Sequence, residues 1–119
     1  MVENELFELF IGNTYSRDFN VYNFPVEIDQ VYFTVKESDK DKRFKLQKKL
    51  DDGITLVDEE EGRVTYNLLI NPEDTDDLKV NKNYTCDVTV VSNTTPQVKK
   101  TIITGTFRLK DHTTKDYNE

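Results

Sequence analysis

Apolar and polar residues alternate in two segments of the second half of the chain, residues 63–70 and 83–90. A period of two is typical of β-strands that bury one face against a core. Between the segments, Asn71 and Pro72 open a short acidic stretch with the composition of a helix start. We therefore predict a strand, one short helical turn near residues 72–79, and a second strand.

Tyr84 lies at the start of the second of these strands, two residues before Cys86. Immunoglobulin-like sandwiches place a tyrosine at such a corner, and its hydroxyl bonds back to the backbone of the preceding connection. We predict that Tyr84 is a structural corner of this kind. Its hydroxyl should then bond to a backbone group near residues 75–78.

Alternating segments also recur through the first half of the chain, separated by turns rich in Gly, Asn and Asp. In residues 43–50, Phe44, Leu46 and Leu50 fall on one parity, which predicts that these three side chains face the core. Residues 58–62 are acidic and end in Gly, which predicts a turn before the strand at residues 63–70.

Strands at spacings of about 8–12 residues, with a single helical turn, favour a sandwich over any α/β layout. We predict an all-β fold, an immunoglobulin-like antiparallel β-sandwich. Residues 1–110 are assigned to one domain. Residues 111–119 carry no apolar periodicity and are predicted to be a flexible tail.

The residues that carry chemistry are few. The chain has one cysteine, Cys86, on the inward parity of its strand, and one histidine, His112, in the polar tail. One Cys and one His cannot build a structural zinc site, and the acidic segments lack the spacing of a calcium loop. No glycine-rich phosphate loop is present. We predict that the chain is not an enzyme and has no catalytic residues, cofactor or metal site.

Charge is distributed unevenly along the chain, although its net value is −7. Residues 36–50 hold seven bases against three acids, and residues 51–77 hold ten acids against one base. One interpretation is a solvated edge strand guarded by lysines, and the other is head-to-tail complementarity between copies. The candidate interaction residues are Arg43, Lys45, Lys48, Lys49, Glu59, Glu60, Glu61, Asp76 and Asp77.

A nucleic-acid-binding β-barrel is one alternative, because a basic strand at residues 43–49 lies near aromatic residues and such surfaces bind single strands. Phe33 and Phe44 fall on the apolar parities of their strands, which leaves only Tyr32 facing outward. A sequence pI of about 4.7 further disfavours a nucleic-acid partner. A cell-surface adhesion module, which would share the sandwich, is the other alternative.

A series of motifs spans residues 6–110 in a fixed order. The motifs are Phe33-Thr34-Val35-Lys36, residues 44–50, Gly53-Ile54, residues 70–75, Leu78, residues 84–88 and residues 101–107. Taken in order, they resemble the small Ig-like structural proteins of tailed bacteriophages, including the N-terminal domain of baseplate upper proteins and related tail and neck modules. Gly12-Asn13-Thr14 departs from the family in having Asn where Asp is usual.

The resemblance implies a non-enzymatic phage or prophage virion protein, a tail or baseplate adaptor that acts by protein–protein contacts. Its partners would be other virion proteins, with self-association into a homo-oligomer or ring that is weak in isolation as a further option. The expected location is the virion, or the cytoplasm of the bacterial host before assembly. The chain starts with acidic residues and contains no long apolar run. We therefore predict that it has no signal peptide and no membrane partner.

Overall fold

The computed structural model describes residues 2–38 and 40–111. Eight strands and one short helical turn, Pro72–Thr75, make up the regular structure, so the all-β prediction is confirmed. The strands are β1 (Val2–Phe10), β2 (Tyr15–Tyr22), β3 (Ile28–Lys36), β4 (Leu46–Leu50), β5 (Gly53–Glu60), β6 (Arg63–Ile70), β7 (Asn83–Ser92) and β8 (Lys99–Lys110). The predicted flexible tail, beyond Asp111, and His112 within it lie outside the described residues.

The eight strands form one mixed sheet in the order β1-β8-β7-β3-β4-β5-β6-β2, which curls until it is nearly closed into a barrel. Two pairs, β1 with β8 and β4 with β5, run parallel, so the wholly antiparallel arrangement predicted from the sequence is wrong. The β4–β5 contact joins only Lys49 to Gly53 and Leu50 to Ile54. It marks the corner at which the chain leaves one half of the barrel for the other, with Asp51 and Gly53 at positive φ.

The core is filled from both halves by the inward residues of the alternating strands. Phe33 lies at its centre, with its ring centroid 5.2 Å from that of Phe7 and 6.1 Å from that of Phe107. The period of two predicted for β6 and β7 is confirmed in β6 and in β7 as far as Val88, and at the end of β7 both faces are covered because Thr89, Val91 and Ser92 are buried as well. The buried residues on the predicted face are Tyr66, Leu68 and Ile70 in β6, and Tyr84, Cys86, Val88 and Val90 in β7.

Strands β1 and β2 are the two edge strands of the sheet and face each other across a seam. Contacts of one arginine side chain bridge this seam. Arg17 of β2 donates from Nη1 to the carbonyl oxygen of Leu6 at 3.3 Å. Its Nη2 lies 3.0 Å from the carboxylate of Glu5, and its guanidinium lies 4.3 Å from the centre of the Phe7 ring. These contacts hold the two edge strands together.

Strand β5 is longer than the sequence predicted, because residues 58–60 extend the strand and only Glu61 and Gly62 form the turn. Gly62 adopts φ +77°, a backbone conformation that glycine adopts at little cost. The pairing with β6 shifts register between Leu56 and Asp58. This bulge leaves Leu56 and Val57, neighbours in sequence, both more than half exposed.

Candidate interaction surfaces

The predicted basic strand begins later than expected. The backbone N–H of Lys45 donates to Val35 at 2.7 Å, and β4 starts at the next residue, Leu46. Arg43 and Lys45 therefore lie in the connection between β3 and β4, where both are exposed. Lys49 is exposed on β4 itself. All three remain accessible to a partner.

Lys48 is the exception among the predicted basic contacts, because it is buried and only 8% exposed. It shares the inward parity of Leu46, and its Nζ lies 2.7 Å from the carboxylate of Asp74. That carboxylate also accepts the backbone N–H of Asn71 at 2.8 Å. The lysine thus ties β4 to the start of the helical turn Pro72–Thr75, and its charge is paired inside the molecule instead of facing a partner.

Phe44 is also misplaced by the sequence prediction, since it is 53% exposed instead of lying in the core. It precedes the first residue of β4, so the alternation of that strand does not reach it. Three exposed cations surround it in sequence: Lys42, Arg43 and Lys45. We call residues 42–45 the basic loop.

A cleft of about 390 Å³ opens at the other end of β3, where the connection between β2 and β3 faces the β5–β6 hairpin. Its walls are about half apolar and half polar, and three acids and one base give it a net charge of −2. We call it the acidic-rimmed cleft. The lining residues are Val21, Asn23, Phe24, Val26, Glu27, Ile28, Leu50, Leu56, Glu59, Glu60, Gly62, Arg63, Val64 and Tyr66.

Two of the predicted acidic contacts, Glu59 and Glu60, lie at this cleft, and Glu61 is exposed in the adjoining turn. Asp76 and Asp77 are exposed after the helical turn and are not part of the cleft lining. The structure therefore divides the predicted acidic set between two places.

Arg63 is the only cation in the cleft lining, and it forms ion pairs with two carboxylates. Its Nη2 lies 2.7 Å from Asp58 and 3.2 Å from Glu60. Its Nε is buried without a hydrogen-bond partner among the described residues. Burial, and then the negative charge of Glu59, raise the pKa of the Tyr66 hydroxyl above its usual value. The cleft is thus a partly apolar and negatively charged environment.

The outer face of β3, β4, β7 and β8 carries a shallow polar groove of about 620 Å³. Strand pairing sets Tyr32 beside Lys49 and Thr89, and Thr34 beside Gln47 and Asp87. Two aromatic rings and three lysines border a floor that contains one carboxylate. The lining residues are Tyr32, Thr34, Lys36, Lys42, Phe44, Gln47, Asp87, Thr89, Lys99 and Thr101.

Tyr84 is buried at the start of β7, and its hydroxyl accepts the backbone N–H of Lys79 at 2.9 Å. This donor lies one residue past the range predicted from the sequence. The bond spans the connection between the helical turn and β7, which is the connection that the corner tyrosine was predicted to hold.

Cys86 is buried beside the core, and burial raises the pKa of its thiol to about 12. Within residues 2–38 and 40–111, no three His, Cys, Asp or Glu side chains gather as metal ligands would. The same part of the chain contains no helix with the length and apolar character to cross a membrane. The sequence matches no known protein family and no curated protein.

Proposed function

We propose that this chain is a non-enzymatic structural protein of a phage or prophage virion, a tail or baseplate adaptor that works through protein contacts. The proposal rests on one observation: this small domain carries two surfaces of opposite charge. They are the basic loop around Phe44 and the acidic-rimmed cleft. An apolar centre with a charged border is the usual composition of a protein interface. The ordered motifs of the sequence point to the same class of protein.

An immunoglobulin-like fold is part of this proposal. That fold places strands C, F and G in one sheet and B, E and D in the other. The neighbours β3, β7 and β8 follow the first order, and β2, β6 and β5 follow the second. The bond from Lys79 to Tyr84 also suits the corner of that fold. Strand order and corner together support the assignment.

Mass spectrometry of purified particles tests the proposal directly. Particles released by the producing cells should contain the chain after nuclease treatment and gradient purification. Because virion parts assemble symmetrically, its amount should match a whole number of copies per particle. A chain that stays in the cytoplasm while the particles lack it would contradict the proposal.

A second candidate function, binding of single-stranded nucleic acid, is favoured by one specific observation. Phe44 is exposed and shares a groove with Tyr32 and with Lys36, Lys42 and Lys99. Exposed rings beside cations are the elements on which bases stack and phosphates bind. The sequence predicted that Phe44 is buried, and a buried ring would not be available to stack against a base.

Fluorescence anisotropy with a labelled oligothymidine tests this second candidate. We expect binding at low salt that weakens as salt rises, and about a tenfold loss of affinity in Phe44→Ala or Tyr32→Ala, since each stacked base contributes about 1–3 kcal/mol. Tyr22→Ala is the matched control, because Tyr22 is exposed but does not line the groove. No binding at low salt would reject nucleic acid as a partner and leave the virion proposal standing.

A further inference from the structure

We infer that copies of this chain bind one another head to tail, with Phe44 of one copy seated in the acidic-rimmed cleft of the next. The inference rests on the proposed function, because it names a second copy of the chain as one of the protein partners.

Phe44 has the features of an anchor for a protein interface. More than half of its surface is exposed, although it is a large aromatic side chain. Lys42, Arg43 and Lys45 flank it and are exposed as well. Interfaces concentrate their binding energy in aromatic and arginine side chains that enter a pocket. Glu37, 3.9 Å from Lys45, and Asp41 lie at the same place. The three cations outnumber these two acids, so the basic loop offers an apolar group in a setting that is net positive.

The acidic-rimmed cleft has the complementary chemistry. Its volume of about 390 Å³ lies in the range of sites that hold small organic groups. Phe24, Ile28 and Leu56 give it apolar walls, and Leu56 is 56% exposed there. Glu27 and Glu59 contribute negative charge at the same place. The Phe44 ring would fill the apolar part of the cleft, and the cations on both sides of it in sequence would face the negative charge.

The two surfaces lie too far apart to meet within one molecule. Ile28, the first residue of β3, lines the cleft, and the basic loop follows Lys36, the last residue of β3. A strand of nine residues spans about 26 Å. The contact must therefore join different copies. Because it uses two different patches, it either closes into a ring or continues as a filament.

Opposite charges also predict how the association responds to salt. The loop carries three cations over residues 42–45, whereas the cleft lining has a net charge of −2. Such exposed charges attract over about 10 Å at 0.1 M salt and over a shorter distance as salt rises. Association should therefore be strongest at low salt, with the apolar contact remaining at high salt.

Sedimentation equilibrium of single variants tests the contact. At about 20 mM salt, where screening is weak, the average mass of the wild type should rise with concentration. Phe44→Ala and Leu56→Lys should each weaken association by about tenfold or more, as expected for interface anchors. The controls Leu6→Ala and Val57→Lys alter exposed side chains outside both surfaces and should leave it within about twofold. All four variants should keep the melting temperature of the wild type within about 2 °C.

Mixing the two defective variants gives the sharper result. Phe44→Ala keeps an intact cleft, and Leu56→Lys keeps an intact loop, so a mixture has one functional contact. It should form one-to-one dimers and nothing larger at concentrations where each variant alone, with association weakened by about tenfold or more, is still mostly monomeric. A wild type that associates while the mixture forms no dimer would show that association uses another surface, and would overturn the inference.

A wild type that remains monomeric up to about 1 mM at low salt, the weak limit of measurable contacts, would also overturn it. That result would leave the proposed function untouched if the chain is present in purified particles. Conversely, self-association of the wild type with the chain absent from particles would reject the virion role and keep the contact between copies.

Discussion

The hydroxyl of Tyr84 fixes the entry into β7, because it accepts the backbone N–H of Lys79 in a partly buried setting. Tyr84→Phe removes this acceptor and retains the ring. We expect the free energy of unfolding to fall by about 1 kcal/mol, the usual contribution of such a bond. Urea titration should show a lower midpoint with an unchanged slope. Tyr22→Phe alters an exposed tyrosine and should leave the midpoint in place, so equal midpoints for both variants would contradict the corner role.

The thiol of Cys86 should be inert in the folded protein. Burial, and then the negative charge of Asp87, raise its pKa from 9.0 to about 12, so at pH 8 it is protonated as well as covered. We expect a disulfide reagent to modify it only as fast as the chain opens, and urea to speed the reaction. Because the unfolded thiol ionises near pH 9 and the folded thiol near 12, its contribution to stability should fall as pH rises through that interval. Rapid labelling without denaturant would contradict this.

Among the elements, β4 and the helical turn Pro72–Thr75 depend on one ion pair. Lys48→Met keeps the aliphatic stem and removes the charge that faces Asp74. We expect a loss of about 1–3 kcal/mol in the free energy of unfolding, since a buried bond between charged groups is lost and one charge is stranded. Lys49→Met on the same strand is the exposed control.

The double variant Lys48→Met with Asp74→Asn checks that the two side chains act as a pair. Its loss of stability should be smaller than the sum of the single losses by about 0.5 kcal/mol or more. Additive losses would mean that each side chain acts separately.

The sequence was most informative where one face of a strand is buried along its whole length. The alternation in β6 and in β7 up to Val88 predicted their inward residues, because a strand that is half in water must repeat every two residues. The same rule failed at Phe44, which lies before β4 begins. Register depends on partner strands, and a single segment does not contain that information.

The candidate surfaces were predictable only in part for a similar reason. Local charge identified Arg43, Lys45, Glu59 and Glu60, since runs of like charge are visible in the sequence. The apolar cleft draws its lining from β2, β3, β5 and β6 and from their connections, so only the folded sheet brings it together. One signal was present: Leu56 and Val57 are consecutive in a strand, and two neighbours cannot both face the core.

At the scale of the whole molecule, Arg17 joins the two edge strands of the nearly closed barrel. Arg17→Ala removes the bond to Leu6, the ion pair with Glu5 and the contact with the Phe7 ring. We expect a loss of about 1–2 kcal/mol in stability, since a cation over a ring and a charged hydrogen bond disappear together. Hydrogen exchange should accelerate in β1 and β2 before the other strands.

Arg17→Lys should restore the exchange rates only partly, because an ammonium keeps the charge but lacks the planar fork of the guanidinium. Unchanged exchange in β1 after Arg17→Ala would show that the seam does not need this side chain.

The parallel pairing of β1 with β8 determines when the fold can form. Glu8 and Arg108 are 100 residues apart in the chain and meet across this pair, so a long loop must close before either strand has its partner. During synthesis, Phe7 and Leu9 emerge early and have no neighbouring strand until residues 99–110 follow. We therefore expect folding to be a late and slow event for this chain, and ribosome-bound fragments that stop before β8 to expose an unpaired strand that invites aggregation.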